Sequence, residues 1–161
     1  MRPIKLEIQG LQSFNEKQTI DFETLTEHGL FGIFGETGSG KSTILDALTL
    51  ALYGNVVRIK DTKEDKLIHL LNINSDRIMV AYEFFIGEER YYVKRIFPKM
   101  KNKNELGQSK ASFMVNGEIK ADKVGDVNNC IGEIIGLSMD DFTRSVVLPQ
   151  GKFSEFLKLT G

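Results

Sequence analysis

Residues 35–42 read GETGSGKS and fit the pattern GxxxxGK[ST]. Its glycines, Gly35, Gly38 and Gly40, allow positive φ angles and a close approach of main-chain N–H groups to an anion. Followed by a helix, such a loop forms a concave anion site, to which the helix adds the positive end of its dipole. A glycine-rich turn without a ligand is the alternative, but the complete pattern rarely arises by chance. The motif therefore predicts a phosphate-binding P-loop and a bound nucleoside triphosphate.

The sequence around the motif places it between a strand and a helix, as a P-loop requires. Residues 30–34 are a short apolar run of strand length. Residues 42–53 are rich in Leu and Ala and stop at Gly54, a typical helix C-cap. In this setting Lys41 can reach the β- and γ-phosphates, and the Ser42 hydroxyl can ligate Mg²⁺.

Composition limits the class of protein. The chain has 161 residues, 41% of them hydrophobic, which is enough for one domain with its own core. A net charge of −1 gives no global attraction to nucleic acid or an anionic membrane, so such binding needs a local patch. The single cysteine, Cys130, excludes an internal disulfide, and no apolar run resembles a signal peptide or a membrane span. We therefore expect a soluble, cytoplasmic protein without membrane contact.

Strand patterns dominate up to residue 121, and helical patterns follow. Strands are predicted at residues 4–8, 18–22, 77–86, 90–97, 112–115 and 118–120. Turn signals at Gly87-Glu-Glu89 and Asn116-Gly117 predict two hairpins. Helices are predicted at 124–135 with Asp122 as N-cap and Gly136 as C-cap, after Ser138 with Asp141, and at 152–158. Because βαβ alternation is weak, this order predicts an α/β protein whose strands and helices are largely segregated, that is, an α+β-like lobe built around one P-loop.

An acidic pair after a buried strand, which would hold Mg²⁺ and activate water in an ATP-hydrolysing P-loop enzyme, is missing. Glu83 comes nearest to such an acidic residue, but the strand pattern continues past it to Ile86. We therefore interpret Glu83 as the exposed residue of an alternating strand. His28 and His69 have no cysteine or carboxylate at ligand spacing, which argues against a metal site of their own.

Three segments together resemble a known family: residues 20–22, residues 35–54, and residues 142–157, which read FTRSVVLPQGKFSEFL. In this order they resemble the start of the SbcC family, the ATPase subunits of SbcCD nucleases, over essentially the whole chain. The most specific part is residues 146–151, which match the family's glutamine loop. SMC proteins and RecN are broader relatives that share the order of P-loop and glutamine loop.

The resemblance implies a P-loop nucleoside triphosphate hydrolase with an ABC-type ATPase head, made from both ends of a long chain with a coiled coil between them. Residues 1–161 would be the N-terminal lobe alone, which explains the missing acidic pair and signature loop. The implied cofactors are ATP and Mg²⁺, and hydrolysis would require the assembled head. The implied partners are its own C-terminal lobe, a second head in a homodimer, an SbcD-like nuclease subunit, and double-stranded DNA bound without sequence preference.

The family's roles can be carried over to matching positions of this sequence. The phosphates would be held by Gly35, Thr37, Gly38, Ser39, Gly40, Lys41, Ser42 and Thr43. Gln150 would reach Mg²⁺ and the attacking water, so the catalytic candidates are Lys41 and Gln150 and the metal ligands Ser42 and Gln150. Archaeal relatives carry a basic residue near the phosphates where this chain has Gln12, followed by Ser13. We include Gln12 and Ser13 among the cofactor-binding candidates.

The segment from residue 94 to residue 110 is basic, with Glu105 as its one acidic residue. Its basic residues are Lys94, Arg95, Lys99, Lys101, Lys103 and Lys110. The pattern fits contact with DNA phosphates without sequence reading, and it equally fits a solvated hairpin connection.

Two other functions compete with a repair ATPase. A complete small kinase or GTPase would need substrate-side arginines in a lid or an Asn-Lys-x-Asp guanine motif, and neither is present. A non-catalytic, SMC- or RecN-like nucleotide-responsive scaffold would be favoured if the whole chain also lacked the acidic pair.

Overall fold

The computed structural model describes residues 1–25, 33–36, 38–57, 59 and 66–145. The strands in these ranges are β1 (Arg2–Gln9), β2 (Gln18–Asp21), β3 (Arg77–Ile86), β4 (Glu89–Pro98), β5 (Lys110–Val115) and β6 (Glu118–Ala121). The helices are α1 (Phe22–Leu25), α2 (Lys41–Tyr53), α3 (Val124–Ile135) and α4 (Met139–Ser145), with a 3₁₀ turn at Leu67–Leu70. None of these helices is long and apolar enough to cross a bilayer.

The six strands form one antiparallel sheet in the order β2-β1-β3-β4-β5-β6. Both predicted hairpins are present, β3 with β4 and β5 with β6. The second turns at Asn116 and Gly117, whose φ angles of 51° and 85° are both positive, as the twist of a two-residue hairpin requires. A mixed α/β fold with an antiparallel sheet, the predicted α+β-like arrangement, is confirmed.

Strand β1 alternates as predicted, with Ile4, Leu6 and Ile8 all buried. Strand β3 does not alternate, because every residue from 78 to 82 is buried. It lies between β1 and β4, so neighbouring strands flank it on both sides. The prediction that Glu83 is exposed is wrong: its side chain is 14% exposed, and its carboxylate accepts from Arg90 Nε at 2.7 Å.

The helices follow the expected caps with one difference. Gly54 and Gly136 end α2 and α3 in the left-handed conformation, at φ 73° and 66°. Helix α3 starts from Lys123, which is in extended conformation, and not from the predicted Asp122. Ser138 caps α4, since its Oγ accepts from the Asp141 N–H at 3.1 Å and donates to the Asp141 carboxylate at 2.6 Å.

The strand predicted before the P-loop is not formed where the structure describes it. Ile33 and Phe34 belong to no strand, and they are 42% and 93% exposed. An apolar run gains strand hydrogen bonds only beside a partner strand, and the antiparallel sheet of the described residues offers none to this pair. Residues 30–32 lie outside the described residues.

Arg95 lies beneath the P-loop helix rather than on the surface, so its inclusion among the candidate DNA-contacting residues is wrong. It is 2% exposed, on the face of β4 that packs against α2. Its Nε donates to Ala51 O and its Nη2 to Leu52 O, each at 2.8 Å, and Nη2 also donates to Asn128 Oδ1 at 2.8 Å. The last carbonyls of a helix have no partner within it, and Arg95 supplies one. Burial lowers the pKa of Arg95 to about 10, which leaves it charged at neutral pH.

Candidate nucleotide-binding site

The end of the P-loop has a backbone that only glycine takes without strain. Gly38 and Gly40 have φ angles of 87° and 95°, and Gly40 is the N-cap of α2. A Cβ atom on Gly40 would lie 2.8 Å from Ser13 Oγ and 3.0 Å from Phe14 Cε2. The loop after β1 therefore packs directly against the end of the P-loop, and a side chain at Gly40 would force the two apart.

The Lys41 ammonium lies within the curve of the loop. Its Nζ donates to the carbonyl oxygens of Gly35 and Glu36, both at 2.6 Å, and to Ser39 Oγ at 3.4 Å. The three donors of an ammonium group are all used by these partners. This concentrates a positive charge beside the glycines, where the motif predicts phosphate.

The first turn of α2 presents its main-chain donors and two hydroxyls. The helix's first hydrogen bond runs from the Ile44 N–H to Gly40 O at 3.2 Å, so the preceding N–H groups have no partner within the helix. Ser42 is exposed on this turn, as a metal-ligating hydroxyl requires. Thr43 is buried, and its Oγ1 donates to Gln12 Oε1 at 2.7 Å.

Gln12 is held in an unusual conformation beside the P-loop. Its φ is 50°, in the left-handed region that few residues other than glycine adopt. Its N–H donates to Leu70 O at 2.7 Å, and its carbonyl accepts from Asn72 Nδ2 at 2.5 Å. Both Gln12 and Ser13 therefore lie against the P-loop and the first turn of α2, and their part in binding a nucleotide stays a prediction. Asn72 was not predicted, since a single asparagine in a polar loop gives no sign of its partner.

The glutamine loop is not described, and neither are Thr37 and the helix predicted at 152–158. The described part of helix α4 reaches Ser145, five residues before Gln150. The α4 residue Phe142 packs on Tyr53 of α2, with ring centroids 5.6 Å apart. The Tyr53 hydroxyl donates to Leu137 O at 3.3 Å, and burial, with Asp141 nearby, raises the pKa of Tyr53 to about 12. Helix α4 is thus fixed to the end of the P-loop helix.

The remaining basic residues of the segment from 94 to 110 are accessible. Lys94 pairs with Ser112 and Ile96 with Lys110 in the β4–β5 register, so Lys94 and Lys110 share the sheet face opposite Arg95. Lys94 is half-buried and Lys110 exposed, and the connecting loop carries the exposed Lys99, Lys101 and Lys103. Without Arg95, this lysine surface (Lys94, Lys99, Lys101, Lys103 and Lys110) remains a candidate for phosphate contact.

Comparison with known proteins gives the class first. A family model described as an AAA domain matches residues 5–160, so the chain belongs to the AAA domain family. This confirms the P-loop ATPase fold predicted from the motif.

The curated proteins that resemble this chain include SbcC proteins, as the resemblance predicted. The chain is 50% identical over 169 residues to a protein named as the SbcC component of the SbcCD nuclease from Clostridium acetobutylicum, covering 100% of this chain and 14% of that protein. It is 35% identical over 158 residues to a protein named Probable DNA double-strand break repair Rad50 ATPase from Aquifex aeolicus, covering 98% of this chain and 15% of that protein.

A solved SMC head domain from Thermotoga maritima has a TM-score of 0.48 at 21% identity, covering 75% of this chain and 39% of that one. The chain thus spans about a seventh of the length of these curated relatives.

Proposed function

We propose that this chain is the ATP-binding, N-terminal lobe of an SbcC-like ATPase that acts in DNA double-strand-break repair and gates a partner nuclease. The observation that carries the proposal is the Lys41 ammonium within the P-loop, at the N-terminal turn of α2. The names of the relatives supply the biological setting.

In the proposed site, the Lys41 ammonium would leave the two loop carbonyls and bind the β- and γ-phosphates of ATP. An ammonium–phosphate contact is charge-assisted and stronger than its contacts with neutral carbonyls. The N–H groups at the start of α2, which have no partner within the helix, would add further donors to the phosphates. Gln12 and Ser13, which pack against this turn, would line the same site without adding charge.

Magnesium would be held by Ser42 and by Gln150. The Ser42 hydroxyl lies on the exposed side of the first turn, which leaves it accessible to a metal bound to the phosphates. A neutral glutamine amide can accept from the attacking water while charge changes at the γ-phosphate. The acidic pair and the signature loop would come from the C-terminal lobe and from a second head, so the proposed enzyme hydrolyses ATP only when assembled.

The lysine surface would bind duplex DNA through its phosphates. Its members lie on one sheet face and the loop beside it, and backbone contact of this kind is independent of sequence. The proposed assembly is a homodimer of heads in the cytoplasm, with an SbcD-like nuclease subunit as the partner.

The proposal is tested by replacing Lys41 in the head assembled from this chain and its C-terminal lobe. Lys41→Ala removes a charge-assisted phosphate contact worth about 1.5–3 kcal/mol, so ATP affinity should fall about tenfold or more. Titration calorimetry measures the affinity, and Lys123→Ala serves as the control because Lys123 is exposed at the start of α3. ATP affinity within twofold of the wild type in Lys41→Ala would refute the nucleotide site.

A further inference from the structure

Asn72 ties the loop after the 3₁₀ turn to the loop after β1. Its Nδ2 donates to the Gln12 carbonyl, and its Oδ1 accepts from the Asn74 N–H at 2.9 Å. Its own N–H donates to Gly10 O at 2.9 Å. Because both ends of the amide and the main chain have partners, the orientation of the Asn72 side chain is fixed.

The residue that Asn72 holds is under backbone strain. A non-glycine residue in the left-handed region persists only where its surroundings impose it, and such residues cluster at functional sites. Gln12 is held by Asn72 on its carbonyl and by Leu70 O on its N–H. In this conformation the Gln12 side chain reaches Thr43, in the first turn of the P-loop helix.

We propose that Asn72 is a positioning residue for the nucleotide site: it holds Gln12 in the left-handed conformation and so keeps the Gln12 amide against the first turn of α2. The proposal rests on the function proposed above, in which that turn binds the phosphates. Asn72 itself touches no phosphate and acts through Gln12. The Gln12 amide nitrogen donates no hydrogen bond among the described residues, which leaves it available to the nucleotide.

The competing explanation is that Asn72 joins two loops for stability alone. The two explanations differ in how substitutions combine. Gln12→Ala keeps the backbone carbonyl that accepts from Asn72 but removes the amide that reaches Thr43. If Asn72 acts on the nucleotide through that amide, its replacement has little further effect on ATP affinity in the Gln12→Ala background, whereas independent effects add.

The test uses Asn72→Asp, which keeps the acceptor for the Asn74 N–H and removes the donor to Gln12. Asn74→Asp is the matched control, because it adds the same charge two residues away on an exposed side chain without a hydrogen bond among the described residues. Asn72→Ser removes the same donor without adding charge. Each variant is made in the assembled head with and without Gln12→Ala, and ATP affinity is measured by calorimetry beside the unfolding midpoint.

We expect Asn72→Asp and Asn72→Ser to weaken ATP binding about threefold to tenfold, the range for one hydrogen bond, and Asn74→Asp by less than twofold. In the Gln12→Ala background, both Asn72 replacements should change affinity by less than twofold. Equal losses in the two backgrounds, or unchanged affinity with Gln12 present, would overturn the positioning role. The Lys41→Ala measurement is independent of these double-mutant comparisons. If ATP affinity is unchanged in Lys41→Ala, the nucleotide site itself is refuted. If ATP affinity falls in Lys41→Ala but the Asn72 and Gln12 effects add, only the positioning role of Asn72 is refuted.

Discussion

Replacing Arg95 tests how the P-loop helix is held on the sheet. Arg95→Met keeps most of the aliphatic stem but leaves the carbonyls of Ala51 and Leu52, both fully buried residues, without their partner. A buried acceptor left unmet costs about 1–3 kcal/mol, so the two together cost about 4 kcal/mol. Asn128 is exposed, and its amide can bond to water instead.

The opposing contribution is the burial of the guanidinium charge. Burial lowers the pKa of Arg95 from 12.5 to about 10, and at about 1.36 kcal/mol per pKa unit this corresponds to about 3 kcal/mol that Arg95→Met recovers. The net loss of stability expected for Arg95→Met is therefore about 1 kcal/mol. Arg95→Ala also removes the packed stem and leaves a cavity, so it should cost about 2–3 kcal/mol more.

Urea unfolding of the assembled head, followed by circular dichroism, measures both losses. Lys94→Met is the matched control, because Lys94 is the half-buried neighbour on the opposite face of β4, and it should change stability by about 0.5 kcal/mol or less. Equal losses of about 3 kcal/mol or more in Arg95→Met and Arg95→Ala would refute the balance between hydrogen bonds and desolvation. Wild-type stability in both would refute the contact with α2 as a stabilising interaction.

Three further predictions concern ATP turnover and DNA binding. Gln150→Ala in the assembled head should lower kcat more than it lowers ATP affinity, because the amide acts once Mg²⁺ is placed, and a normal turnover rate would contradict this role. Neutralising Lys99, Lys101 and Lys103 together should make the log K against log [salt] slope for duplex DNA shallower by about 0.9 for each phosphate that is no longer neutralised, whereas an unchanged slope would remove the loop from the DNA surface. The 161-residue chain alone should release no phosphate from ATP above a Lys41→Ala control until the C-terminal lobe is added, and turnover by the chain alone would identify a complete enzyme.

The elements predicted correctly from the sequence are those set by local rules. Helix α2 follows from an apolar stretch that ends at Gly54, and the β5–β6 hairpin follows from Asn116-Gly117. In each case the residues that decide the structure are neighbours in the chain. The α4 cap at Ser138 likewise needs only the residue three positions on.

Three incorrect predictions, those for Arg95, Glu83 and the strand at Ile33 and Phe34, depended on neighbours in the fold rather than on the local sequence. The burial of Arg95 depends on the end of α2, more than 40 residues earlier. Glu83 is half-buried because β3 lies inside the sheet and because Arg90 reaches it from β4. Strand propensity at Ile33 and Phe34 has no effect without a partner strand, which sequence periodicity does not supply.

The residues of the candidate site also fall into those that a local motif identifies and those that only distant contacts identify. The motif names the residues that we propose to bind the phosphates, but it does not name those that hold the P-loop helix in place. At its N-terminal turn the helix is tied through Thr43 to Gln12, and through Gln12 to Asn72, 60 residues further on. At its other end it is tied to Arg95 and, through Tyr53, to α4. Because preorganised donors stabilise charge without reorganisation, we expect contacts that fix both ends of the helix to contribute to the proposed phosphate binding, although they lie outside the motif.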